Sequence, residues 1–252
     1  MALELIAVVR DASFGYVPHA RFFEAHAERV RFAANVAVFR GPEGLVVADP
    51  GPGDPSCWIE GLDEEAERMS FTEWGGLLRF LEKHGGTEAV AEVLLTHQHP
   101  DHLCALFTRE GRHERTFPRA AVRTAAPDEF ARYCRAYLGR GDVYPLLAAE
   151  REGAETFTSD KHAVGHTAWR VETTEGPLVL WGDYLPTATH LLPRFRRFLY
   201  DEPPAFLEGL LERSAAEGAW NLLFHDPRRA LVRFGRRGGG YRTVEERLAE
   251  TP

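Results

Sequence analysis

Lysine is nearly missing from this sequence: Lys83 and Lys161 are the only two among 30 basic residues, so arginine carries almost all the positive charge. Amide side chains are as scarce, with Gln98 the sole glutamine and Asn35 and Asn221 the only asparagines. Few thermolabile amides fit a thermophilic protein, and a GC-rich genome produces the same bias. Cysteine is limited to Cys57, Cys104 and Cys134, an odd number with no CxxC spacing. That excludes a paired disulfide framework and points to a reducing, cytoplasmic compartment. No hydrophobic run approaches the roughly 18 residues of a membrane span. The apolar stretch Leu5 to Val9, flanked by Glu4 and Arg10, is too short for a signal-peptide core. Positive charge is in deficit as well: 30 basic against 38 acidic residues leave a net charge of −8, the wrong sign for tracking a phosphate backbone. Neither nucleic acid nor membrane is expected as a partner.

What is present is an ordinary globular composition, 252 residues with 44% apolar, long enough to bury a core and unlike disordered or coiled-coil chains. No repeat, low-complexity tract or long linker divides it, so a single domain over 1–252 is expected, and a homo-oligomer is compatible with it. Val30 to Phe39 and Leu45 to Ala48 flank Arg40-Gly41-Pro42-Glu43-Gly44, a hairpin signature. The acidic, Gly- and Pro-rich segment from Gly51 to Met69 reads as a solvated loop, with a lid over a site as the sharper alternative. Ser70-Phe71-Thr72-Glu73 has the spacing of a capping box, which predicts a helix with Trp74, Leu77, Leu78 and Leu81 as its buried stripe, stopped by Gly85. Val90 to Leu95 is a short buried strand. A second helix starts at Pro127 and buries Phe130, Tyr133, Cys134 and Tyr137; a third begins near Pro204 and buries Phe206, Leu207, Leu210 and Leu211. Strands are expected at Thr156 to Thr158, Trp169 to Thr173, Leu178 to Trp181 and Asn221 to Phe224, with a closing hairpin from Ala230 to Val244. Strands then helix, twice over, with no dinucleotide fingerprint, suggest stacked sheets with helices outside.

Histidine is plentiful, 11 residues in all, and its spacing carries the chemistry. His97-x-His99-x-Asp101-His102 follows the strand at Val90 directly. Alternate residues of an extended chain project to one side, so His97, His99 and Asp101 converge where the strand ends. His102 turns away as the chain bends, which suits a second metal beside the first. Neutral histidines with an open position make a catalytic zinc site rather than a structural one.

This HxHxDH motif resembles that of the metallo-β-lactamase superfamily, and further motifs follow in family order. Val46-Val47-Ala48-Asp49-Pro50-Gly51 resembles the first motif, whose aspartate braces the metal loops. Gly165-His166-Thr167 resembles the GHT motif. Asp183, in Leu180-Trp181-Gly182-Asp183, matches the aspartate that bridges both metals, and His225, in Phe224-His225-Asp226-Pro227, matches the last ligand. The resemblance covers roughly residues 30 to 235. It implies an α+β, four-layer αββα sandwich with two mixed β-sheets flanked by helices. It also implies two divalent ions, zinc first with iron or manganese as alternatives. His97, His99 and His166 would hold the first; Asp101, His102 and His225 the second; Asp183 and a hydroxide would be shared.

The implied function is hydrolysis of an ester-like bond in a small molecule, a lactone or carboxylic ester first. The alternatives are a thioesterase of glyoxalase II type and a metal-dependent phosphoesterase or nuclease; a metal-bearing binding scaffold is a further, non-enzymatic one. His99 stands where the family's diiron reductases place Glu. No basic glutathione-binding segment is visible near the C-terminus, and the negative charge disfavours the nuclease branch. Paired metals bring the pKa of shared water toward about 7, and Asp101, a ligand with a free oxygen, would shuttle the proton.

The stretch Gly182 to His190, with Tyr200-Asp201 later, is most similar to lactonase-related hydrolases. Those carry a tyrosine three residues after the bridging aspartate, where this chain has Pro186, and Tyr184 stands beside the aspartate instead. Tyr184 as a carbonyl hydrogen-bond donor and His190 as a pocket residue are therefore candidate catalytic groups beside Asp101. His162, four residues before His166, belongs to no family motif and reads as a surface or supporting residue. His19, His26, His84 and His113 read as solvated and Cys104 as a buried helical cysteine, while Pro193 to Tyr200 reads as a solvated face with one apolar side or as a segment that binds an acidic substrate, lines a pocket mouth or meets a partner subunit.

Overall fold

The computed structural model describes residues 2–16, 30–62, 67–141, 143–196, 199 and 202–252. His19, His26, Tyr200 and Asp201 lie outside them. The apolar N-terminal stretch forms β1 (Glu4–Tyr16), antiparallel to β2 (Val30–Arg40), which turns back into β3 (Leu45–Ala48). The turn between β2 and β3 is the expected hairpin, closed by the Gly41 N–H donating to the Gly44 carbonyl at 2.9 Å.

β4 (Met69–Glu73), β5 (Val90–Leu94), β8 (Ala121–Arg123) and β9 (Leu146–Leu147) complete a seven-stranded sheet in the order β4-β1-β2-β3-β5-β8-β9. Strands β3, β5, β8 and β9 are mutually parallel, so the sheet is mixed. The strands β6 (Thr108–Arg109) and β7 (Arg112–His113) form a small separate hairpin. A second, six-stranded mixed sheet follows in sequence order from β10 (Ala154–Ser159), β11 (His166–Thr173) and β12 (Gly176–Leu180) to β13 (Trp220–Leu222), β14 (Leu231–Arg237) and β15 (Gly240–Arg247).

Burial sorts the layers. Val8, Phe39, Val46 and Leu94 of the first sheet pack against Trp169, Leu178, Trp220 and Leu231 of the second, which is the core between the sheets. The outer face of the first sheet packs on α1 (Gly76–Glu82) and α3 (Pro127–Leu138), through Leu77, Leu81, Phe130 and Tyr133. The outer face of the second packs on α5 (Leu207–Glu217), through Leu207, Leu210 and Leu211. This is the αββα sandwich. The remaining helices, α2 (Pro100–Leu103) and α4 (Pro193–Arg196), are single turns in the loops at one edge.

One sequence expectation fails here. Ser70 does not cap a helix: residues 69–73 form β4, an edge strand on β1, with the Thr72 hydroxyl donating to the Ser13 carbonyl at 3.0 Å and Phe71 against Phe14. Helix α1 starts after Gly75, which takes a left-handed conformation (φ 78°), and Trp74 is left exposed. The cap comes from far away in sequence, since the buried Asp11 carboxylate accepts the Leu77 N–H at 2.8 Å. Tertiary pairing with β1 overrides the local capping pattern.

Candidate metal centre

The candidate residues meet where β3, β5, β12 and β13 end and β11 begins. The loop after β3 is organised by Asp49, whose left-handed backbone (φ 44°) turns its side chain toward the neighbouring loop. Its Oδ1 accepts the Thr96 N–H at 2.7 Å, and its Oδ2 accepts the Thr96 hydroxyl at 2.7 Å. Because that hydroxyl donates to Asp49, its oxygen is left to accept the His97 Nδ1–H, 3.0 Å away. The network thus assigns the tautomer of His97 and turns its Nε2 into the cluster, where that buried atom has no hydrogen-bond partner among the described residues.

The same logic holds at two more imidazoles. His102 Nδ1 lies 3.0 Å from Asp49 Oδ2, and His225 Nδ1 lies 2.9 Å from the Ala33 carbonyl oxygen. Both partners only accept, so each ring carries its proton on Nδ1. The two Nε2 atoms then face each other at 3.4 Å. Asp183 Oδ1 lies 3.1 Å from His225 Nε2 and 3.4 Å from His102 Nε2, and Asp101 Oδ2 lies 3.3 Å from His225 Nε2. Lone pairs of two imidazoles and two carboxylates converge in a buried space, an arrangement that calls for positive charge at its centre.

The electrostatics agree. Burial, reinforced by the surrounding imidazoles, pushes His97, His99 and His166 well below the ordinary histidine range, so these rings are neutral and offer lone pairs. Burial also acts to lower His102 and His225, but the carboxylates of Asp101 and Asp183 outweigh it and raise both. Burial raises Asp101. Asp183 is lowered: burial works against its ionisation, and His225 and His102 more than compensate. His166 is fully buried, neither ring nitrogen has a hydrogen-bond partner among the described residues, and its ring stands 4.5 Å from that of His97. A donor set of this kind fits divalent metal: the Nδ1 atoms of His97, His102 and His225 are fixed by acceptors, carboxylates lie among the rings, and one donor atom each of His97, His99, His162 and Asp183 falls within 4.8 Å of the others.

Gly182 sets the position of Asp183. Its backbone is left-handed (φ 54°), and a Cβ there would stand 2.5 Å from Thr96 Oγ1 and 2.7 Å from His166 Nε2. The turn Gly182–Tyr184 sends Asp183 toward the cluster and Tyr184 behind it. Tyr184 therefore does not border the cavity. Its ring stacks on His166 at 3.7 Å, and its hydroxyl lies 2.7 Å from the His166 carbonyl and 2.8 Å from that of Ser159. His190 is fully buried too, with Nδ1 2.9 Å from Thr187 Oγ1 and its pKa pushed down by burial to about 4. Tyr184 turns its hydroxyl to backbone carbonyls behind His166, away from a substrate carbonyl, and neither it nor His190, in the turn Ala188–Leu191, is among the residues lining the cavity.

Two residues gain roles the sequence did not suggest. His162 stands at the mouth of the cluster, Nε2 3.1 Å from His99 Nδ1 and 3.2 Å from Asp183 Oδ2. Asn35, buried on β2, donates from Nδ2 to the carbonyls of Leu223 and Asp226 at 2.9 and 2.8 Å and so holds the His225 loop. The rarity of asparagine was its only signal. Cys104 is no ligand: it is buried, with Sγ donating to the Tyr137 hydroxyl at 3.3 Å.

A cavity of about 280 Å³ opens onto the cluster. His99, Asp101, His162, Asp183 and His225 form its floor, and Tyr16, Phe32, Met69 and Pro186 its wall. Tyr16 stacks on Phe32 at 5.4 Å, and Phe32 on His225 at 5.1 Å, so the aromatic wall runs down to a candidate ligand. A larger cavity of about 310 Å³ lies at the opposite ends of the parallel strands, where the charges of Glu92, Arg123 and Arg151 satisfy one another.

Neither family profiles nor curated protein sequences match the chain. Solved structures do. A protein from Staphylococcus aureus described as a probable metal-dependent hydrolase superposes with a TM-score of 0.72 at 18% identity, covering 98% of this chain and 100% of its own. AidC, a dizinc quorum-quenching lactonase in complex with a product, gives a TM-score of 0.72 at 15% identity over 99% of each chain. The B. thuringiensis protein AiiA, with N-decanoyl-L-homoserine at its active site, gives 0.68 at 14% identity over 90% of this chain and 95% of its own. The fold is the metallo-β-lactamase fold, and solved structures that share it are described as hydrolases and lactonases.

Proposed function

We propose that this chain is a dinuclear metal-dependent hydrolase that cleaves an uncharged ester-like bond, a lactone or carboxylic ester first. The observation that carries the proposal is the buried convergence of His102 Nε2, His225 Nε2, Asp101 Oδ2 and Asp183 Oδ1 beside an open cavity that Asp101, Asp183 and His225 line. His97, His99 and His166 would hold one ion and Asp101, His102 and His225 the other, with Asp183 between them. Zinc is favoured by the imidazole-rich set, although iron and manganese accept the same donors. When bound, such a pair supplies a nucleophilic hydroxide at neutral pH and polarises the scissile carbonyl.

The chain's own residues supply the rest. Asp49 and the Ala33 carbonyl fix His102 and His225 so that only Nε2 can turn inward. Asp101 borders the cavity, and its carboxylate takes the proton and returns it to the leaving group. Tyr184 acts as a positioning residue, bracing His166 from behind. The wall of Tyr16, Phe32, Met69 and Pro186 shelters an apolar substituent from water, and among the described residues lining the cavity there is no lysine or arginine. That supports an uncharged substrate over a phosphodiester, and so a small molecule over nucleic acid.

The test is a metal-replete assay against lactones, carboxylic esters, thioesters and phosphotriesters. Lactone or ester turnover should disappear on chelation and return with zinc, and Asp101→Asn should lower kcat by about two orders of magnitude. A protein that holds two ions yet turns over none of these substrates would overturn the reading. Asp101→Asn with full metal and full turnover would overturn the role of Asp101.

A further inference from the structure

We infer that His162 is itself a metal-ligating residue, a fourth imidazole on the first metal position beside His97, His99 and His166. The inference rests on the dinuclear reading above and extends it to a residue outside the superfamily's motifs.

His162 is delivered by the bend between β10 and β11. That bend is closed by Asp160, whose Oδ1 accepts the Gly165 N–H at 2.7 Å, so it is built rather than open. From it the imidazole reaches inward, with its side chain only 19% exposed. Its ring centre lies 4.9 Å from that of His97, 4.6 Å from His99 and 5.2 Å from His166. One donor atom each of His97, His99, His162 and Asp183 falls within 4.8 Å of all the others, the span of a single coordination sphere.

Asp183 divides its two oxygens accordingly. Oδ1 faces His102 and His225, while Oδ2 lies 3.2 Å from His162 Nε2. The bridging carboxylate thus points one oxygen at each candidate metal position, and His162 stands on the first side. A residue that only oriented Asp183 would need no approach to His99, yet His162 Nε2 is 3.1 Å from His99 Nδ1. Two ring nitrogens and a carboxylate oxygen meet there as donors to one cation.

The chemical consequence is a crowded first position. His162 would add an imidazole to the three protein ligands usual for a catalytic zinc position. The substrate carbonyl would then favour the second position, beside the wall where Phe32 stacks on His225.

The experiment compares wild type with His162→Ala and His162→Gln, measuring metal per chain, chelator-competition affinity, the visible absorption of the cobalt-loaded protein and the imidazole count from zinc X-ray absorption. Glutamine keeps an N–H donor for Asp183 but is a poor ligand. Wild type should hold two ions. Both variants should keep the second ion, bind the first at least about ten-fold more weakly, lose one imidazole from the absorption fit and show stronger cobalt bands as the coordination number falls. Wild-type affinity and spectra in His162→Ala would overturn the inference, as would full restoration by His162→Gln, which would make His162 only an orienting donor. A wild-type protein that takes up no metal would instead overturn the dinuclear reading, and this inference with it.

Discussion

Asp49 is the residue on which most of the site's geometry depends, although it donates nothing to a metal position. It accepts the Thr96 N–H, the Thr96 hydroxyl and His102 Nδ1–H, and through Thr96 it also sets the tautomer of His97. Asp49→Ala would leave buried donors unpaired, each costing roughly 1–3 kcal/mol. Denaturant unfolding should show a loss of about 2–5 kcal/mol, and metal affinity should fall about 10–100-fold. An Asp49→Ala protein with wild-type stability and metal affinity would mean that the loops hold their shape without it.

At the scale of elements, the join between β1 and α1 carries a titrating cap. Asp11 is buried, accepts the Leu77 N–H through Oδ1, and its Oδ2 has no hydrogen-bond partner among the described residues. Burial raises its pKa to about 7 from an ordinary 3.8, and the Leu77 N–H and Arg79 only partly offset this. A carboxyl whose folded pKa is raised favours the fold most when protonated in both states. Its contribution is therefore complete below about pH 4 and is lost as pH rises to about 7. The displacement corresponds to roughly 4 kcal/mol. Asp11→Asn keeps the acceptor for Leu77 and removes the charge. It should match wild type at pH 4 and exceed it in unfolding free energy at pH 8; equal stabilities at both pH values would show that the carboxyl titrates normally.

At the scale of the whole molecule, both sheets send loops to one edge, so ions bound there would tie the two halves of the sandwich together. His97, His99, Asp101 and His102 follow the first sheet's β5, whereas His166, Asp183 and His225 belong to the second sheet or its loops. Removing metal should lower stability as a whole rather than at a loop. An ion present at 100 times its Kd contributes about 2.7 kcal/mol. Calorimetry with and without chelator should show one transition moving down by several degrees and recovering with zinc. An unchanged Tm would place the ions outside the fold's stability.

Much of this was legible in the chain. The 2–3 hairpin, α3 with Phe130, Tyr133, Cys134 and Tyr137 buried, and the strand that runs into His97 follow from periodicity and turn residues, which act over a few neighbours. Spacing also marked His97, His99, Asp101 and His102 as candidates, just past an apolar strand, whereas His166, Asp183 and His225 were marked only by the resemblance of their motifs to those of the metallo-β-lactamase superfamily. The tertiary structure decided what local signals cannot encode. Ser70 to Glu73 became an edge strand because β1 offered it a ladder, and α1 took its cap from Asp11. Tyr184 went behind His166 at the left-handed turn of Gly182, and His190 was buried in a separate turn against Thr187. His162, with no motif to mark it, was brought to His99 across 63 residues of chain. A side chain's direction depends on the backbone packed around it, and sequence spacing specifies only which residues are near enough to compete for the place.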